Sequence, residues 1–316
     1  MKIVSFSEKN YNEKVELCKK LFQFIDRKQV AKDLIFSYVG ARICYSSDYP
    51  INLFFEKKLK ERDKRIDFFK KLFNLKHYSV FAHTPVLIKS NFLSKEDRLN
   101  IFRLFFKVFE FKNGDILMNL RHFAEFLPEE MFYELISLEI PEWWKEKDFR
   151  KEFELKSNVI IEIGDFCAKY LRAKLFIFNS AVKDWKVIII HNCSRIMTHQ
   201  LCRHTTINFC QRSHRYTKAN SFCIPSEIAE DDDFVNFIFG TFNDIWVVLE
   251  NMRKSKKYKR EDLRFFMPQS TATTIFCSAP LCVWKDFVEK RNKPQAQKEI
   301  REVANILNRF LFGGKE

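Results

Sequence analysis

WKVIIIHNCSRIMTHQLCRHTTINFCQRSHRY, residues Trp185 to Tyr216, is the stretch on which the reading of this chain turns. It opens with Val187 to Ile190, a short apolar run rich in isoleucine, which reads as a buried strand. Asn192 is placed to cap the helix that follows. Cys193, Ile196, Met197 and Leu201 recur at helical spacing and give that helix one apolar face. A polar segment then carries Gln200, Arg203, His204, Gln211, Ser213, His214, Arg215 and Tyr216. Cations, amides and a hydroxyl crowded at the end of a buried element suit an anion with a flat polar ring. Arginine is the side chain that meets phosphate with two parallel hydrogen bonds. The plainer alternative is a solvated basic face.

Composition sets wider bounds. A chain of 316 residues, 46% of them hydrophobic, has enough apolar material for a sizeable core and implies one or two domains. Its 36 phenylalanines read as core filling in place of leucine, as an AT-rich coding bias would give. The net charge of +14 fits anionic partners without choosing among nucleotides, folates, flavins and nucleic acid. No RNP-type aromatic signature accompanies that charge. MKIVSFSEKNYNEK is too polar for a signal segment, and no apolar run approaches a membrane span. Nine cysteines without a Cys-x-x-Cys pair point to a reduced, cytoplasmic setting. His199, Cys202, His204, Cys210 and His214 lie close in sequence, but only His199-x-x-Cys202 has zinc-like spacing, so no metal is expected.

Along the chain, residues 1–40 and 54–76 have amphipathic helical patterns, and Pro85 to Lys89 reads as a strand. From about 93 to 180 the pattern predicts a mostly helical inserted subdomain. Its expected helices are Ile101 to Phe111, Met118 to Leu127, Phe132 to Leu138 and Phe153 to Tyr170, with a turn at Asn113-Gly114-Asp115. Phe234 to Met252 reads as a long amphipathic helix, and the basic run Arg253 to Arg260 as a solvated loop.

The order of polar residues adds a resemblance. Ser194-Arg195, Gln200, Arg203-His204-Thr205 and Ser213-His214-Arg215-Tyr216 resemble, in register, the signature of the flavin-dependent thymidylate synthases. Thr205 stands where that family has the last arginine of Arg-His-Arg. Ala41 to Ser46, His77, Ser79 and His83 resemble its early segments, with Ala82 in place of a glutamate. Glu261, Arg264 and Pro268 resemble its second motif. Arg291, Ala296, Gln297, Glu299 and Ile300 resemble its last, where Pro280 and Cys282 replace an Asn-x-Arg and Gln295 replaces a histidine. The resemblance covers residues 40–92 and 181–310.

It implies an α+β fold, a mixed sheet flanked by helices, in one domain over 1–316 with the insertion at about 93–180. It implies reductive methylation of dUMP to dTMP with FAD as cofactor, and NADPH and methylenetetrahydrofolate as co-substrates. A homotetramer with shared active sites is implied as well; neither nucleic acid nor membrane is expected as a partner. By resemblance, Gln200, Arg203, Gln211, Ser213, Arg215, Arg264 and Arg291 contact the nucleotide. Arg291 polarises the uracil ring and Ser213 orients the substrate. His77, Ser79, Arg203, His204 and Thr205 belong to the flavin side. There the altered positions concentrate, so a divergent paralogue with changed or lost flavin chemistry is the alternative. Asn119-Leu120-Arg121, with Phe126-Leu127 downstream, repeats the missing Asn-x-Arg spacing inside the insertion, so Asn119 and Arg121 are candidate replacements.

Overall fold

The computed structural model describes residues 2–163 and 169–314. The architecture is α+β, as expected. The chain divides into two compact units, where one domain was expected: one built from residues 1–41, 51–149 and 179–185, the other from 42–50, 150–178 and 186–316.

The first unit begins with α1 (Lys2–Phe22) and α2 (Arg27–Tyr45), the latter running on into the second unit's residues. Then come α3 (Lys57–Lys60), α4 (Arg62–Asn74), β1 (Pro85–Ile88) and α5 (Lys95–Leu104). Ser94 and Asp97 close a reciprocal capping box on α5, which fixes where that helix starts. β2 (Phe109–Glu110), β3 (Ile116–Asn119), α6 (Leu120–Phe126) and α7 (Glu129–Ile136) complete the unit. The strands form a small sheet in the order β1-β3-β2, antiparallel, with Pro85 opposite Asn119. Gly114 takes a φ of +81° in the turn before β3, the conformation expected of the glycine in Asn113-Gly114-Asp115. Phenylalanine does fill this core. Phe73 stacks on Phe132 at 5.0 Å between centroids, and Phe81 meets Phe132 edge-on at 5.0 Å.

The second unit carries a six-stranded sheet in the order β7-β9-β6-β5-β4-β8. Its strands and helices in chain order are β4 (Arg150–Glu162), β5 (Lys169–Asn179), β6 (Trp185–Ser194), α8 (Arg195–Leu201), β7 (Asn208–Gln211) and β8 (Ser221–Pro225). After these come α9 (Asp232–Lys254), α10 (Arg260–Leu263), β9 (Ala272–Pro280), α11 (Leu281–Arg291) and α12 (Lys298–Phe312). The β4–β5, β4–β8 and β7–β9 ladders are antiparallel.

Several local expectations are overturned. Phe153 to Tyr170 is not a helix: β4 occupies its first part, and residues 164–168 lie outside the described residues. The reason is visible in the residues. Exposed Glu152, Glu154 and Lys156 alternate with half-buried Phe153 and buried Leu155, a pattern of period two, and a buried β-branched run, Val159, Ile160 and Ile161, follows. So the stretch expected to be a helical insertion supplies β4 and β5 of the larger sheet. Its earlier part is mixed: the helix expected over Ile101 to Phe111 stops at Leu104 and Phe109–Glu110 is β2, while Met118 and Asn119 end β3 and the next helix begins only at Leu120.

Nor does Asn192 cap α8. The strand runs on to Ser194, and the Ser194 hydroxyl accepts the Met197 N–H at 3.1 Å. Asn192 instead takes a left-handed φ of 57° within β6, a conformation its short polar side chain tolerates. Val187 to Ile190 is the buried strand expected, and Cys193, Met197 and Leu201 are buried as the apolar face of the turn that follows.

Candidate active site

The polar end of α8 is held from α12. Glu299 is buried at 2% exposure and accepts both the Ser194 N–H (2.8 Å) and the Ser194 hydroxyl (2.5 Å). Burial raises its carboxyl pKa, and the Ser194 bonds pull it back. At the other end of the short helix, Gln200 Nε2 donates to Gln297 Oε1 at 2.6 Å. Both ends of α8 are thus fixed by residues two apart in the Gln297-Lys298-Glu299 corner.

This anchoring sets up a cleft of about 360 Å³ lined by Arg203, His204, Thr205, Thr206, Asp286, Lys290 and Arg291. Arg291, the last residue of α11, donates from Nε to His204 Nε2 at 2.9 Å and from Nη2 to the Gln200 carbonyl at 3.1 Å. Since guanidinium only donates, His204 Nε2 must carry its lone pair. Burial, and then the Arg291 charge, hold His204 down to a pKa of about 4. The ring also packs edge-on against Phe287 at 5.0 Å. The cleft therefore presents a neutral imidazole, with exposed Arg203 and Lys290 as cations and Thr205 as a hydroxyl.

Gln211, on β7, donates to Thr198 Oγ1 at 3.2 Å. Ser213 opens a tight turn: its N–H reaches the Cys44 carbonyl at 3.0 Å, and its hydroxyl accepts the Arg215 N–H at 3.3 Å. The Arg215 guanidinium pairs with Glu261 at 2.8 Å. Arg264 lies elsewhere from Arg291. It lines a second pocket, of about 190 Å³, with His214, Lys218, Trp246, Glu250, Arg253 and Arg260 among its walls. So the residues expected on one nucleotide divide between two hollows of this unit: Arg203 and Arg291 in one, Arg264 in the other. The run Arg253 to Arg260 is not a purely solvated loop, because both its end residues line that second pocket.

The remaining candidates lie in the first unit. His77 and Ser79 are exposed, His77 as the N-cap and Ser79 within the short 3-10 helix Tyr78–His83 before β1. His83 is fully buried, and burial drives its pKa down to about 3. Asn119 is 2% exposed and caps α6 in a capping-box arrangement with His122, whose Nδ1 accepts the Asn119 N–H at 3.4 Å. Arg121 pairs with Glu125 at 2.6 Å, one helical turn on. The His77–His83 turn and the Asn119–Leu127 helix adjoin: the Leu120 N–H donates to the Thr84 carbonyl at 2.9 Å. Sequence reading missed Lys107 in this neighbourhood. Burial, and then Arg121, lower its ammonium to a pKa of about 8. Its left-handed φ of 56° leaves no trace in residue type.

Among the described residues, no three His, Cys, Asp or Glu side chains group as a metal ion would need. No helix among them is long and apolar enough to cross a membrane.

With this geometry in place, residues 187–311 match the family model described as thymidylate synthase complementing protein. Over that region the chain is similar to the flavin-dependent thymidylate synthases. The flavin-dependent thymidylate synthase of Pyrococcus horikoshii is 37% identical over 121 residues, 36% of this chain and 49% of that protein. That of Nitratidesulfovibrio vulgaris is 32% identical over 127 residues, 37% of this chain and 52% of that protein. The chain spans about half the length of these curated relatives. A crystal structure of the Helicobacter pylori enzyme with FAD and dUMP aligns at a TM-score of 0.31 and 20% identity, over 41% of this chain and 68% of that one. The matched region holds α9, α10 and α11 and the loops after α8 and β7, which carry the residues lining both hollows.

Proposed function

We propose that this protein is a flavin-dependent thymidylate synthase that converts dUMP to dTMP, with methylenetetrahydrofolate as carbon donor and NADPH as reductant. The observation that carries the reading is the Arg291–His204–Gln200 constellation. An arginine fork is fixed at a cleft wall by an uncharged imidazole and a carbonyl, inside the region that matches the family. The proposed roles follow from chemistry. Gln200, Arg203, Gln211, Ser213, Arg215, Arg264 and Arg291 hold the nucleotide, its phosphate by guanidinium forks. Arg291, braced on His204, places a fixed positive charge by the uracil carbonyl and makes C6 electrophilic. Ser213 orients the nucleotide.

The donor set fits an anionic flavin dinucleotide. Beside Thr205, which lacks the family's charge, the cleft holds Lys290, a cation that Asp286 of the same lining pairs at 2.8 Å. In the first unit Asn119, Arg121 and Lys107 stand next to the turn bearing His77 and Ser79, which supports the replacement of the lost Asn-x-Arg by Asn119 and Arg121. FAD, when bound and reduced, would supply the hydride. The chain's own residues place the ring and shield it.

A homotetramer with shared sites is part of the proposal. Its support is the split of the nucleotide set between two hollows, together with an uncovered apolar face. On α9, Phe237 is 71% exposed, and Phe265 and Phe266 nearby in sequence are 84% and 66% exposed. A cytoplasmic location accords with free cysteines throughout the described residues.

The test is reconstitution. Protein incubated with FAD, NADPH, methylenetetrahydrofolate and dUMP should yield dTMP by chromatography, and the purified protein should be yellow. A colourless protein that binds dUMP and makes no dTMP would instead support the divergent paralogue.

A further inference from the structure

His214 has no place in the proposal above, yet its position is unusual. It lines the pocket that holds Lys218, Arg253, Arg260 and Arg264. The residue is 8% exposed, and neither ring nitrogen has a hydrogen-bond partner among the described residues. A buried imidazole with both nitrogens idle costs free energy unless something completes it. The pocket walls say what that something is. Arg264, in the turn after α10, is part of the wall; Arg195 at the strand-to-helix junction and Arg212 just after β7 lie outside the lining, and all three act on His214 electrostatically. α9 contributes Trp246, Glu250 and Arg253, and α10 contributes Arg260. Glu250 is already held by Arg253 at 2.6 Å. Glu261 is spoken for by Arg215 at 2.8 Å. The hollow thus keeps a surplus of positive charge facing an idle imidazole.

We infer that this pocket seats a phosphate monoester, and that His214 binds it by donating a hydrogen bond and taking up a proton as it docks. The inference rests on the reading that the chain binds a nucleotide phosphate, and adds to it a residue and a proton. Without an anion, burial and then Arg195, Arg212 and Arg264 keep the ring neutral, with a pKa of about 4; the Lys218 backbone beside it favours the charged form but does not reach hydrogen-bonding geometry. A phosphate dianion neutralises those cations and supplies an acceptor. Both changes favour imidazolium and return the ring toward its ordinary value of about 6.5 or above. Affinity then rises as pH falls, by up to about tenfold per pH unit where one full proton is taken up.

The test uses the full chain in calorimetry with dUMP, inorganic phosphate and deoxyuridine as separate probes. Titrations are run at pH 6 and pH 8, in two non-phosphate buffers of different ionisation heat, so that protons are counted. The variants are His214→Gln, which keeps a donor but cannot titrate, and His214→Phe, which has none. At pH 6 the parent should take up more protons on binding dUMP than His214→Gln does, a difference that also removes the ligand's own ionisation. The excess should vanish at pH 8. His214→Phe should bind roughly tenfold more weakly or worse. Equal affinity and equal proton count across all three proteins would overturn the role of His214 while leaving dUMP binding intact. If dUMP fails to bind but inorganic phosphate binds with His214-dependent proton uptake, the anion seat stands and the nucleotide reading falls. If neither probe binds, both are overturned.

Discussion

Replacing Arg291 by methionine removes the guanidinium while keeping an unbranched stem of similar reach. In the parent, His204 titrates near 4 against an ordinary value near 6.5, so its charged form is disfavoured by about 3 kcal/mol. Burial is the larger cause and Arg291 the second. Arg291 therefore accounts for less than half, on the order of 1 kcal/mol, which is also the typical net worth of one hydrogen bond. The His204 titration midpoint in Arg291→Met should rise by about one pH unit and stop short of the free value. Proton NMR of the imidazole Cε1–H signals between pH 3 and 8 reads this directly, with His204→Gln identifying the signal. A loss in kcat should accompany it if the site is the one proposed, but the NMR result does not depend on turnover. An unmoved midpoint would show that the Arg291–His204 bond does not hold the ring neutral, and the account of Arg291 as a braced, fixed charge would fail with it.

Glu299→Gln should lower stability by about 2 kcal/mol in urea denaturation, because a buried carboxylate accepting two hydrogen bonds becomes an amide that can accept only through one oxygen. His122, buried with a pKa of about 4, should make the first unit acid-labile. Its folded pKa lies below the unfolded value near 6.5, so the folded state resists protonation and stability is lost as pH falls from about 6.5 toward 4. Between pH 7 and 5 the parent should lose about 2 kcal/mol more than His122→Gln. Asp33 works in the opposite sense. Burial raises its pKa to about 6, above the unfolded 3.8, so its protonation stabilises the fold as pH drops through 6. The pH dependence of Asp33→Asn unfolding should lack that gain. Cys202 and Cys282 are exposed and play no covalent part in the proposed reaction, so Cys202→Ala and Cys282→Ala should keep any dTMP formation. Abolition in a folded variant would point to thiol chemistry instead.

Much of the second unit was legible because its pattern is strong. The Val187 to Ile190 run and the apolar face of α8 both follow from spacing between adjacent residues. What could not be read was which partner a polar residue finds across the fold. Nothing near Glu299 in sequence says that it holds Ser194, and nothing near His214 says that it would be left without a partner. The misread Phe153 to Tyr170 segment carries apolar residues dense enough to satisfy either period, and tertiary pairing with β5 and β8 decided the matter. Asn192 failed as a cap for a smaller reason: the strand overran by two residues, and serine serves that position equally well. In the first unit, the turn bearing His77 and Ser79 and the Asn119 helix were each seen in sequence, but their adjacency depends on the Pro85–Asn119 pairing.

The double anchor on α8 bears on the order in which the chain acquires its shape during synthesis. Ser194 emerges from the ribosome 105 residues before its partner Glu299, and Gln200 emerges 97 residues before Gln297. Until that late corner arrives, the N-terminus of α8 has its own serine cap and no carboxylate behind it, and Arg291 has no settled helix end to brace against. A seven-residue helix is too short to persist on such local support. The arginine-bearing cleft should thus be among the last features to form on a nascent chain, and ribosome-bound fragments halted before Gln297 should leave the Gln200–Arg203 segment open to protease while the β4–β5 hairpin is already protected.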